Sequence, residues 1–117
     1  MDTMEAARAL GQVIRDSAEC REYARLKAEI DADAGIKALV NEYKRLQTAM
    51  QMRMLAGQSL EGEEAQRFQS LNMLLFADSR TAGYLMAEMR LQQMLADIFR
   101  IVTEAADVDM SIPGLDG

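Results

Sequence analysis

Apolar residues recur three and four positions apart through almost the whole chain, the spacing of helix faces rather than of strands. Ala7, Leu10, Ile14 and Ser17, flanked by Met4 and Val13, predict a first helix over 3–17 with a thin apolar face. Ser17 is placed to cap a second helix over 18–31, with Glu19 in its first turn and Tyr23, Leu26 and Ile30 along one stripe. Asp33 caps a third, in which Ile36, Leu39, Tyr43, Leu46 and Met50 follow at strict 3-4-3-4 spacing. Val40 and Met54 widen that face, and Gly57 can take the left-handed turn that ends the helix. A fourth helix over 61–76 opens on Glu61, Glu63 and Glu64 and turns Ala65, Phe68, Leu71 and Leu75 inward. The fifth follows Asp78 and runs to about Ala106.

That last helix carries more apolar surface than one neighbour can cover. Tyr84, Ala87, Leu91, Met94, Ile98, Ile101 and Ala105 form one row, and Leu85, Leu95, Phe99 and Val102 form a second beside it. At a rise of 1.5 Å per residue the helix spans about 40 Å, longer than a domain of this size is wide. A hairpin return by the third or fourth helix covers one row, which leaves the other to a second chain. The interface with that second copy or with another protein is therefore expected at Tyr84, Leu85, Met86, Met89, Leu91, Met94, Leu95, Ile98, Phe99 and Val102. Glu88 sits at the margin of the apolar arc, where a buried carboxylate needs an interhelix or intersubunit arginine.

The architecture this predicts is all-α: an antiparallel bundle of four to five helices with a long C-terminal helix, dimeric, in one domain over 1–107. Residues 108–117 hold the single proline and two glycines and are expected to form a flexible tail. Met110, Ile112 and Leu115 within it make a minor candidate docking motif.

Composition agrees with helices. Hydrophobic residues make up 50% of the 117 and charged residues 27%, while aromatics supply only 5%. Ten methionines stand out: Met50 and Met94 lie on the stripes as core fillers, whereas Met86 and Met89 lie off them and suit an adaptable binding surface. The net charge of −6, with basic residues interleaved among acidic ones, opposes direct contact with nucleic acid. No leader pattern and no apolar run of membrane-spanning length occurs, so the expected residence is cytoplasmic, without membrane contact.

Candidate chemistry is sparse. The chain has no histidine, which removes Ser-His-Asp and Cys-His relays, His-ligated zinc and Glu-x-x-His di-iron pairs. Gly57 and Gly62 flank a polar turn that lacks the lysine and hydroxyl of a phosphate loop. Glu22, Glu29 and Glu42 read as surface ion-pair partners, as with Glu22 beside Arg25. Cys20, the only cysteine, falls in the first turn of the second helix; one thiolate alone holds no iron-sulfur cluster, though several chains could share one. The expectation is no catalysis, no cofactor, no metal and no small-molecule substrate.

Two long segments, SAECREYARLKAEIDADAGIKALVNEYKRLQ and SRTAGYLMAEMRLQQMLADIFRIV, carry a family likeness over roughly residues 5–105. With Ser17, Glu22 and Tyr23, then Asp33, Leu39, Tyr43 and Leu46, then Tyr84, Leu85, Ala87, Glu88 and Leu91, the chain resembles the YlbF/YmcA family of small helical bacterial proteins. The resemblance implies an all-helical, often dimeric, non-enzymatic protein. Some members are accessory factors in competence, sporulation and biofilm development, in complexes linked to messenger RNA processing by a membrane-bound endoribonuclease. Gly83 departs from the pattern by weakening the start of the fifth helix, and the C-terminal region lacks the cysteine cluster of a cluster-binding member. The expected role is a regulatory adaptor that binds itself and another protein. The alternative is a structural or chaperone-like homo-oligomer whose apolar arc is consumed by self-association.

Overall fold

The computed structural model describes residues 1–109 and contains five helices: α1 (Thr3–Arg15), α2 (Ala18–Asp31), α3 (Ala34–Leu55), α4 (Gly62–Ala77) and α5 (Ser79–Ala106). No strand occurs among the described residues. The order and extent of the helices follow the sequence pattern to within two residues at most ends. Backbone contacts divide the chain into two compact units, Leu26–Tyr84 and Met1–Arg25 with Leu85–Gly117, so α2 and α5 supply residues to both.

The unit Leu26–Tyr84 holds most of the core. Leu26, Ile30, Val40, Tyr43, Leu46, Leu71, Leu75 and Tyr84 are buried in it. Leu71 and Leu75, almost fully enclosed, each contribute about 2 kcal/mol of hydrophobic stabilisation. α3 and α4 pack as an antiparallel hairpin, pinned near its tip by Arg53 on Glu64 at 2.8 Å and further down by Arg67 on Glu42 at 2.7 Å. Between them the Tyr43 ring stacks on Phe68 with centroids 5.1 Å apart, and its hydroxyl donates to Asn72 Oδ1 at 3.1 Å. Burial raises the Tyr43 phenol above its ordinary pKa.

Local chemistry sets the helix ends. Asp33 accepts from the Ile36 N–H at 3.1 Å and starts α3. α3 stops because Gly57 adopts φ +76°, which lets Gln58 N–H donate to Arg53 O at 2.7 Å and Gly57 N–H to Met54 O at 3.1 Å. These two bonds satisfy carbonyls the helix would otherwise leave open. Asp78 alone separates α4 from α5; its Oδ1 accepts from the Arg80 N–H at 2.8 Å. Fully buried Thr81 returns its hydroxyl to the Leu75 and Asp78 carbonyls, closing the end of α4 from inside the core.

In the other unit, Ser17 joins two helices. Its hydroxyl donates to Ile14 O at 2.6 Å and accepts from Cys20 N–H at 3.2 Å, ending α1 and capping α2. α1 thus closes at Arg15 rather than extending to Ser17. It begins on Asp2, which accepts from Glu5 N–H at 2.8 Å, a cap the sequence reading passed over. α5 ends with Asp107 at φ 57° while Val108 N–H donates to Thr103 O at 3.1 Å, the same closure as at Gly57 but with a residue that bears a Cβ. From residue 110 the expected tail, with Met110, Ile112 and Leu115, lies outside the described residues.

Two faces differ from the sequence pattern. On α3, Val40, Tyr43 and Leu46 are buried while Ile36, Leu39 and Met50 are only half-covered and Met54 is open; cover is greatest in the middle of the stripe, where Tyr43 stacks on Phe68 of α4. On α1 no residue is buried, and Met4, Leu10 and Val13 lie open beside half-covered Ile14.

Candidate interaction face

α5, 28 residues long, supplies most of the candidate surface. Its first half is covered. Lys44 Nζ donates to Tyr84 Oη at 2.6 Å and lies 4.7 Å from the ring centroid. Leu85 and Ala87 are buried too, and the first turns of α2 run beside them, forming a shallow cleft with Ala18, Glu19, Glu22, Ala87 and Arg90 on its walls.

Beyond Glu88 the cover thins. Leu91, Met94, Leu95, Ile98 and Phe99 are half-buried, Ile101 is 62% exposed and Val102 49% exposed. The exposure therefore divides along the helix axis and not between the two rows. Both rows are buried around residues 84–87 and both are open around 101–102. The sequence reading assigned the whole second row to another chain; Leu85 is already enclosed by its own, and Phe99 half so. Cover on α5 thus depends on level along the helix axis rather than on position around it.

The remaining expected positions fall at distinct places. Met86 and Met89 lie off the buried arc, and Met89 is 63% exposed. Glu88 is half-buried and has an interaction partner. Cys20 is a free, half-buried thiol. Among the described residues no group of three His, Cys, Asp or Glu side chains is arranged to hold a metal ion, and no helix is long and apolar enough to cross a membrane.

The charged groups serve the surface. Asp31 is held below the usual carboxylate range chiefly by its hydrogen bond from Lys27, with Lys37 adding to it. Arg67 does the same for Glu42, and the Arg80 N–H for Asp78.

A second concavity escaped the sequence reading. At the tip of the α3–α4 hairpin an apolar groove of about 350 Å³ lies between Met50, Met54, Leu60, Ala65, Phe68 and Gln69. Met50 reads as a core filler by its position on the stripe, yet it lines an open groove. The available signal was Leu60, an apolar residue inside an otherwise polar turn.

Residues 3–106 match the family described as "Control of competence regulator ComK, YlbF/YmcA". The chain is similar to a UPF0342 protein of Symbiobacterium thermophilum, 28% identical over 104 residues that cover 89% of this chain and 93% of that one. A UPF0342 protein of Alkalihalophilus pseudofirmus is 32% identical over 90 residues, 74% of this chain and 76% of that one. Among solved structures, a protein of unknown function (DUF964) from Bacillus stearothermophilus superposes with a TM-score of 0.72. It covers 89% of this chain and 91% of its own at 17% identity, a likeness of fold alone.

Proposed function

The chain belongs to the YlbF/YmcA family, and we propose that it works as a regulatory adaptor without catalytic activity, self-associating through α5 and binding a further protein. The observation that carries this reading is the thinning cover along the C-terminal half of α5, where Ile98 and Phe99 are half-buried and Ile101 and Val102 exposed on a helix that is buried at its start. Exposed apolar residues scattered singly are ordinary, but a contiguous face spanning several turns marks an interface. The open stripe of α1 adds to it, since Leu10 and Val13 also lack cover.

A second copy, bringing the same face in two-fold symmetry, would cover it on both chains at once. In this reading the dimer is the working unit, and the family's link to control of a competence regulator is the setting in which it acts.

The test has two parts. Light scattering across micromolar concentrations should give twice the chain mass of 13.1 kDa; a monomer throughout would remove the self-association. Affinity purification from the host at native expression should then recover a specific protein with the intact chain and lose it with Val102→Asp. Recovery of none under several growth conditions counts against the adaptor role and favours the structural homo-oligomer.

A further inference from the structure

We infer that the groove at the α3–α4 tip is a second docking site, shaped and charged for a basic amphipathic helix from another protein. The inference deepens the adaptor reading and rests on it for the existence of a protein partner, but it uses a surface separate from α5.

The floor and walls differ in stiffness. Phe68 forms the floor, held by its stack on the buried Tyr43 ring at 5.1 Å and 8°. Met50, Met54 and Leu60 form the walls, and Met54 is 64% exposed. A fixed aromatic base between flexible thioether walls accepts apolar anchors of varied shape, and a groove between two antiparallel helices is the usual seat for a third helix.

Charge selects the occupant. The basic groups near the groove are already engaged, Arg53 with Glu64 at 2.8 Å and Arg67 with Glu42 at 2.7 Å. Glu61 and Glu63 are exposed and form no ion pair among the described residues. Glu61 lines a polar cleft of about 600 Å³ that meets the apolar groove at Ser59. A helix lying across the tip therefore sets its apolar side between the methionines and brings its flank over Glu61, where lysine or arginine is favoured. A second copy docking tip to tip would oppose Glu61 and Glu63 to themselves, and an anionic membrane surface would meet the same repulsion.

The probe is a fluorescent synthetic helix of leucine and lysine about five turns long, with a leucine and glutamate counterpart as control, followed by anisotropy. The intact chain should bind the lysine helix saturably and the glutamate helix at least tenfold more weakly. Met54→Asn should weaken lysine-helix binding tenfold or more and Glu61→Lys threefold or more, while Met73→Asn, at a 75% exposed site on α4, leaves it unchanged. Because Met54 is exposed, its variant should keep its helical circular dichroism; Leu60→Asn, outside any helix, provides the same test independently. Equal binding of both peptides, no saturable binding, or equal affinity in both groove variants overturns the inference. So does a groove-dependent loss of binding to anionic vesicles, or a change in oligomeric mass in Met54→Asn. Failure here with an intact α5 dimer would leave the self-association reading standing.

Discussion

Replacing Val102 with aspartate separates association from folding. Val102 is 49% exposed and Ile101 beside it 62%, so each has roughly half its side chain still to bury. Full burial of such a side chain is worth ~1.5–3 kcal/mol, which leaves about 1 kcal/mol per residue for a partner to supply. In a two-fold dimer each residue counts twice, so Val102 contributes about 2 kcal/mol to association. Aspartate removes that and also sets a carboxylate against an apolar face, raising the total to roughly 2–4 kcal/mol. At 1.4 kcal/mol per tenfold, the dissociation constant should rise about thirtyfold or more. The protomer loses far less, because valine and aspartate have similar helix propensities and the site is half-solvated already; a cost of ~1 kcal/mol lowers Tm by about 4 °C. Sedimentation velocity across a dilution series reads the first effect and circular dichroism of the dilute monomer reads the second. Met73→Asp, at a 75% exposed site on α4, serves as the control that should change neither. An unchanged dissociation constant, or loss of helix content at concentrations where the variant stays dimeric, would refute the reasoning.

Two glycines should respond in opposite directions to alanine. Gly83 lies within α5 with ordinary contact distances of 3.8 and 3.9 Å from a new Cβ to Leu26, so Gly83→Ala should raise stability by up to ~1 kcal/mol in urea unfolding. Gly57→Ala should lower it by about 1 kcal/mol, because φ +76° is strained for any residue with a Cβ. Leu71→Ala, at a fully buried site, should cost ~2.7–5 kcal/mol, and a loss under 1 kcal/mol would mean the core collapses around it. With no histidine, the unfolding midpoint should stay flat between about pH 5.5 and 7.5. Asp31, Glu42 and Asp78 have lowered pKa values in the folded chain; their contribution is complete above the ordinary values of 3.8 and 4.5 and is lost as pH falls through the folded ones, so acid should destabilise. Tyr43, raised by burial, should lose its contribution as pH rises above 10.0.

Helix identity and order, and most helix ends, were legible in the residues, because those are set within a few positions of the chain. Ser17 and Asp33 cap their helices, Asp78 receives the Arg80 N–H and Gly57 ends α3, where short-range hydrogen bonds and a single positive φ decide the outcome. The width of the α5 apolar arc was equally plain, since it depends on spacing alone. How that arc is covered was not. Periodicity describes position around a helix, so it suggested one row for the chain itself and one for a partner; coverage depends on how far each neighbour reaches along the axis, and the structure buries both rows at Leu85 and Ala87 and opens both at Ile101 and Val102. The same limit hid the groove at the hairpin tip. Met50 and Met54 belong to one helix, Ala65 and Phe68 to another and Leu60 to the turn between them, and only the packing of α3 against α4 brings the five together.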